Sequence, residues 1–169
     1  MEEFERRFLD RPVIDDGTIH VIVLRRGDGA HDLPTRVSFD PAHGVIGDRW
    51  SQAEHPHPEA QVTLMERRVA SLLFADDRDQ LHVPGDNLVV DLDLSTDALP
   101  VGARLRVGTA LLEITAKPHL GCAKFRARVG DEALDWVNAK EHRGRRLRGV
   151  NARVVEGGEA ALGDKIVRV

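Results

Sequence analysis

Short runs of β-branched and other apolar residues, separated by turn residues, recur along the chain and predict β-strands. Strands are predicted at 18–24, 36–39, 61–64, 88–94, 104–107, 110–115, 124–129, 146–155 and 165–169. Apolar residues recur at helical spacing in only two places, after Met65 and after Asp131. Many short strands, closely spaced turns and two short helices predict a mainly β fold, a closed or nearly closed barrel.

Composition supports the same fold class. The 169 residues are of a size typical of one domain, and 19 Val against five Phe, two Trp and no Tyr favour strands. No apolar run approaches the roughly 20 residues that a membrane span needs, and the first seven residues are mostly charged. We therefore expect neither a membrane anchor nor a secretory signal. A single cysteine cannot form an intrachain disulfide, which predicts the reducing cytoplasm.

Charge is distributed unevenly along the chain. The net charge of −4 argues against a general nucleic-acid binder. Between Lys117 and Arg153, however, there are ten Lys or Arg and only four Asp or Glu. This excess predicts a basic face for an anionic partner, or else a solvated surface whose arginines pair with acidic neighbours.

The one cysteine, Cys122, lies inside this basic stretch. Lys117, His119, Lys124 and Arg126 are close to it in sequence, and nearby cations lower a thiol pKa by favouring the thiolate. A thiolate can attack sulfur or bind a soft metal. Most unpaired cysteines are instead small buried apolar residues, so both interpretations stay open.

A run of arginines, 143–148, is the second candidate site. Guanidinium groups bind phosphate in a forked geometry, which favours a small phosphorylated ligand. In the predicted strand 146–155, Arg146 and Arg148 would share one face. The alternative is an edge strand that its charges protect from aggregation.

Other motifs are weaker. His43, His55 and His57 suggest zinc, and the His55 and His57 rings can project to one side, but no third ligand lies at a spacing typical of zinc sites. The sequence has neither a phosphate-binding glycine loop nor the GxSxG motif of serine hydrolases.

Five short motifs in order carry a resemblance to a known family. They are Gly47-Asp48-Arg49 followed by Gln61-Val62, Pro84-Gly85-Asp86-Asn87-Leu88, the segment 99–108, Gly121-Cys122-Ala123-Lys124-Phe125, and the segment 148–155 leading to Gly163-Asp164. Together they resemble the MOSC domain, named for the C-terminal part of molybdenum-cofactor sulfurases. The resemblance covers 18–169, a single domain, and leaves 1–17 as an N-terminal extension.

The resemblance implies a mostly antiparallel β-barrel that handles the molybdenum cofactor, a pterin that carries a phosphate and a dithiolene-bound metal. Cys122 takes the position of the family's cysteine, which is a molybdenum ligand in some members and a sulfur carrier in others. Arg49, Asn87 and Arg148 match family motifs. Our predicted cofactor-binding residues are Arg49, Asn87, Lys124, Arg126, Arg146 and Arg148.

Two functions follow from the resemblance. The first is an enzyme that reduces N-hydroxylated compounds with electrons from a separate reductase. The second is a cofactor or persulfide carrier that works with a separate pyridoxal-phosphate-dependent cysteine desulfurase, because this chain has no room for that domain. The sequence departs from the family in lacking the N-terminal barrel segment of reductase-type relatives, and in having Trp50 where relatives often have His. We expect no nucleic-acid or membrane partner, and the sequence does not predict an oligomeric state.

Overall fold

The computed structural model describes residues 2–169, which form short strands joined by turns and four α-helices. The helices are α1 (Glu2–Leu9), α2 (Arg67–Leu73), α3 (Ala123–Val129) and α4 (Asp131–Asn138). The strands are β1 (Thr18–Ile22), β2 (Leu24–Arg25), β3 (His31–Asp32), β4 (Arg36–Asp40), β5 (Gly44–Val45), β6 (Val62–Glu66), β7 (Leu88–Asp91), β8 (Arg104–Val107), β9 (Ala110–Ile114), β10 (Val150–Glu156), β11 (Gly158–Ala161) and β12 (Ile166–Arg168). Short 3₁₀ turns lie at Arg49–Gln52, Pro58–Ala60, Arg78–Gln80 and Lys140–Arg145.

Seven strands form one curved sheet in the order β1-β7-β6-β10-β9-β8-β12. The pairing is antiparallel except between β6 and β7, which run parallel. The two end strands approach each other at a bridge between Thr18 and Lys165, where the Ile19 amide also donates to the Asp164 carbonyl at 3.0 Å. The predicted barrel is confirmed, with one parallel pair. A smaller sheet of β11, β4 and β5 lies beside it.

Two apolar cores lie on opposite faces of the large sheet, and β6 contributes to both. Val62 and Leu64 join the core inside the barrel, whereas Met65 belongs to the core beneath the helices. This division follows from the alternation of side chains across a strand. Because both faces are covered, every residue of β6 is buried.

The N-terminal helix α1 packs on α4 through aromatic contacts. The Phe4 ring stacks on Trp136 with centroids 5.3 Å apart, and the Phe8 ring meets Trp136 edge-on at 5.6 Å. The Trp136 indole donates to Glu5 at 3.2 Å. Residues 2–9 therefore pack on the predicted domain 18–169, whose boundary at residue 18 stays a prediction.

Three predictions about secondary structure were wrong. Residues 124–129, predicted as a strand, belong to the helix α3, because Phe125 and Val129 pack at helical spacing against the core beneath the helices. Four helices form instead of two. The predicted strand 146–155 begins only at Val150, since Arg146 adopts a left-handed conformation with φ of 50°. Arg146 and Arg148 therefore do not share a strand face.

None of the helices within residues 2–169 combines the length and apolar character needed to cross a lipid bilayer.

Candidate functional site

The thiol of Cys122 lies at the start of α3, at the end of the loop that leaves β9. The preceding residue is held from both sides by Asn138 of α4: the Gly121 amide donates to Asn138 Oδ1 at 2.8 Å, and Asn138 Nδ2 donates to the Gly121 carbonyl at 3.0 Å. A Cβ at position 121 would lie 2.6 Å from Leu134 Cδ1, so a larger residue there would force Leu134 to move. This arrangement leaves Cys122 exposed, which excludes the buried apolar interpretation.

Local hydrogen bonds and charge favour the thiolate form of Cys122. Partial burial acts to raise its pKa, but the backbone N–H groups of Phe125 and Lys124 and the positive charge of Arg148 outweigh it. The pKa of Cys122 is consequently below the ordinary value of a thiol. The sulfur is thus both reachable and nucleophilic.

A buried ionic cluster of Asp86, Arg148 and His119 lies behind the cysteine. Arg148 Nη1 donates to Asp86 Oδ2 at 2.5 Å, and His119 Nε2 lies 2.6 Å from Asp86 Oδ1. Burial acts to raise the pKa of Asp86, but Arg148 and His119 hold it well below its usual range. Burial and the charge of Arg148 lower the pKa of His119 against the opposing effect of Asp86. Because an ionised carboxylate only accepts, the neutral His119 donates from Nε2.

Arg148 has hydrogen-bonding capacity that the protein does not use. Its Nε is buried and has no hydrogen-bond partner within residues 2–169. Its guanidinium carbon lies 4.5 Å from the centroid of the Phe125 ring, which fixes the plane of the group. An unsatisfied buried N–H beside a reactive thiol is a feature of functional sites more than of a finished core.

A second arginine, Arg128, is held by the loop of the Pro84-Gly85-Asp86-Asn87 motif. Its Nη1 donates to the carbonyls of Val83 and Pro84 at 3.1 and 3.2 Å. A Cβ at Gly85 would lie 2.6 Å from this Nη1, so the motif's glycine makes room for the guanidinium. Burial and the charges of Arg49 and Arg148 lower the pKa of Arg128, and Cys122 opposes them. These groups therefore share one electrostatic environment.

A basic groove of about 590 Å³ runs beside this cluster. No carboxylate among the described residues lines it, and its lining residues are Arg25, Gly27, Arg49, Trp50, Gln52, Ala53, Ala60, Thr63, His119, Lys124 and Asn151. The buried Asp48 fixes one wall, because it accepts from Arg25 Nη2 at 2.7 Å and from the Trp50 amide at 3.0 Å. Cys122 does not line the groove, but Lys124, one half-turn along α3, does.

The structure brings together only part of the predicted cofactor-binding set. Arg49 and Lys124 line the groove, and Arg148 is buried beneath it. Asn87 is fully buried: its Oδ1 accepts from the Thr63 amide at 3.0 Å and its Nδ2 donates to Asp48 at 3.1 Å. We therefore assign Asn87 a positioning role rather than a ligand contact.

Two predicted residues lie elsewhere. Arg126 is exposed on the outer side of α3 and pairs with Asp131, so it does not line the groove. Arg146 donates from Nη1 to the Leu99 carbonyl at 2.5 Å and lines a different cavity. The sequence-based set also missed Arg25 and Arg128. Reading 123–129 as a helix would have placed Arg128 on the same face as Phe125.

No group of three or more His, Cys, Asp or Glu side chains in the described part of the chain has the geometry of a metal site.

Comparison with known sequences identifies the family. The MOSC domain model matches residues 51–167, so the chain belongs to the MOSC domain family, as its motifs predicted. No curated protein matches the sequence significantly.

Comparison with solved structures shows the same fold. YiiM from Escherichia coli superposes with a TM-score of 0.58 at 17% identity, covering 90% of this chain and 69% of YiiM. YuaD from Bacillus subtilis gives 0.57 at 15% identity, covering 88% of this chain and 93% of YuaD. YiiM from Geobacillus stearothermophilus gives 0.55 at 14% identity, covering 92% and 74%. At these identities the likeness establishes the architecture.

Proposed function

We propose that this chain binds the molybdenum cofactor in the basic groove, with the Cys122 sulfur as a ligand of the molybdenum. The observation that carries the proposal is the exposed thiol of lowered pKa within the electrostatic reach of Arg128 and Arg148, next to a groove without carboxylates. Membership of the MOSC domain family relates the chain to this cofactor.

The residues present fit such a ligand. Arg25, Arg49 and Lys124 line the groove and would hold the phosphate of the pterin, for which guanidinium groups have the right geometry. Arg148, whose buried Nε has no partner among the described residues, adds positive charge that acts on the thiol. Cys122, whose pKa is lowered, would supply a soft sulfur ligand to the metal.

When bound, the cofactor supplies a metal centre that exchanges two electrons and an oxygen atom with a substrate. The chain's own residues hold the thiolate, position the phosphate and keep His119 neutral beside the groove. Reducing an N-hydroxylated compound to the amine and water consumes two protons and two electrons. The electrons would come from a separate reductase.

The test is the metal content of protein made in a host that synthesises the cofactor. We expect stoichiometric molybdenum in the wild type and a loss of at least about tenfold in Cys122→Ala, because even outer-shell changes cost 10–100-fold in metal affinity. Arg36→Gln is the matched control: Arg36 is exposed, pairs weakly with Glu159 and lies on β4. Equal molybdenum in Cys122→Ala and wild type would contradict the proposal. Turnover of hydroxylamine-type substrates with a chemical reductant tests the reductase function separately.

One observation favours a second function, a carrier of persulfide or cofactor. Cys122 is exposed and lines neither of the cavities beside it, so another protein could reach the sulfur directly. Incubation with a cysteine desulfurase, cysteine and pyridoxal phosphate should then add one sulfur to Cys122, seen by mass spectrometry. A carrier binds metal or sulfur without turnover, whereas an enzyme turns over with the metal bound.

A further inference from the structure

A second cavity, of about 390 Å³, adjoins the basic groove and is not used by the proposed function. The two cavities share only His119 and Asn151 among their lining residues. The second cavity is the more enclosed, and its volume lies within the roughly 300–1,000 Å³ of small-molecule sites.

The charged residues of this cavity are all basic. Lys117, Arg143 and Arg146 line it, and no Asp or Glu among the described residues does. Within residues 2–169, none of these three side chains has a carboxylate partner within 4.0 Å. The other two arginines of the run differ, because Arg145 pairs with Glu5 and Arg148 pairs with Asp86. The protein thus satisfies alternate members of the arginine run and leaves the others facing this space.

The position of Arg146 is fixed by the backbone around it. Its left-handed φ of 50° ends the 3₁₀ turn, and its Nη1 donates to the Leu99 carbonyl at 2.5 Å. Burial lowers the pKa of Arg146, with no acidic group acting against it. A bound anion would offset this cost of burying a cation.

The other walls are mostly apolar. Val101, Leu120, Val137 and Val150 line the cavity together with the polar Asn138 and Asn151. We propose that this cavity binds a small organic anion, a carboxylate or phosphate monoester on an apolar body, with the anionic group held by Arg143, Arg146 and Lys117. The ligand would border the groove at His119 and Asn151. On the proposed function, this places it as a substrate next to the cofactor.

The experiment uses apo protein and follows backbone amide resonances during titration with benzoate, phenyl phosphate and uncharged benzamide. We expect benzoate or phenyl phosphate to shift the amides of Val137 and Val150, and benzamide to bind much more weakly. Arg143→Gln and Lys117→Gln should each weaken binding by roughly three- to tenfold, as expected for a solvent-accessible charge-assisted contact. Binding of both anions or of either one supports the site, and the preferred probe identifies a carboxylate or a phosphate ligand.

Controls separate this inference from the proposed function. Arg36→Gln removes the same charge at a distant exposed site and should leave binding unchanged, and Cys122→Ala should also bind as wild type. Three results would overturn the inference: no binding of either anion, equal binding of benzamide, or shifts confined to the groove amides of Thr63 and Lys124. A loss of molybdenum in Cys122→Ala with intact benzoate binding shows that the two sites are independent.

Discussion

Two fully buried carboxylates, Asp48 and Asp86, lie beneath the site. They differ in how completely the hydrogen-bonding groups around them find partners. Asp48 accepts five hydrogen bonds, three from Arg25 and one each from the Trp50 amide and Asn87. Asp86 has two partners, Arg148 and His119, and Arg148 has a buried Nε without a partner.

This difference suits Asp48 to a structural role and Asp86 to the candidate site. The network around Asp48 uses its bonding capacity to fix Arg25, the 3₁₀ turn at 49–52 and Asn87. The network around Asp86 holds Arg148, whose charge acts on the thiol and whose Nε has no hydrogen-bond partner among the described residues, and His119, which lines the groove. Both carboxylates hold arginines, and Arg148, the partner of Asp86, acts on the pKa of Cys122.

The largest expected effect is on stability. Asp86→Asn should lower the free energy of unfolding by about 3–5 kcal/mol, because it leaves Arg148, whose side chain is 7% exposed, as an uncompensated buried charge. Asp48→Asn should cost about 1–3 kcal/mol, because Arg25 is 14% exposed and water can reach it. Urea denaturation of both variants measures the difference. A larger loss of unfolding free energy in Asp48→Asn than in Asp86→Asn would contradict this comparison of the two networks.

The next effect is on thiol reactivity. Removing the negative charge of Asp86 leaves Arg148 to act on Cys122 unopposed, so Asp86→Asn should lower the pKa of Cys122 further, whereas Asp48→Asn should leave it unchanged. The rate of iodoacetamide alkylation at pH 7 should rise on the order of two- to threefold in the first variant only. Circular dichroism at the assay temperature checks that both variants are folded. Equal shifts in both would show that Asp86 has no special link to the thiol.

The smallest effect is on the pH dependence of stability. The pKa of His119 is lowered in the folded protein, so the unfolded chain binds more protons below the ordinary histidine value of about 6.5. The contribution of His119 to stability is therefore fully present above about pH 6.5. It is lost as the pH falls through the folded-state pKa of His119. His119→Gln keeps an N–H for Asp86 and should flatten the stability profile below pH 6.5. Asp48→Asn should keep the slope of stability against pH. The same slope in His119→Gln would show that His119 is not its source.

Local sequence pattern was enough to predict the barrel. Short apolar runs between turns correctly marked β4, β8 and β9, because each of these strands contributes residues to the core inside the barrel. The same reasoning failed at 124–129, where Phe125 is buried in the core beneath the helices and contacts Arg148, a partner that is distant in sequence. Tertiary packing decided that segment, and no local preference showed it.

From the sequence, the candidate site was predictable at Cys122 and at a few motif residues. Cys122 could be selected because cations are close to it in sequence, and Arg49 and Arg148 because they match motifs of the MOSC domain family. Arg25 could not, since only the fold brings it to Asp48, 23 residues away. Arg146, predicted as a cofactor-binding residue, lines the other cavity instead of the groove, and its left-handed backbone conformation is not visible in a run of arginines.

The meeting of β1 and β12 at Thr18 and Lys165 limits how the large sheet can be approached. An open sheet offers unpaired amides and carbonyls at its margins, to which a strand from another protein can add. Here the two margins face each other, and the backbone groups of Ile19 and Ile166 are already used across the junction. A protein that exchanges electrons or sulfur with Cys122 would therefore dock through side chains around the groove, and its charge would matter more than its capacity to form β-structure.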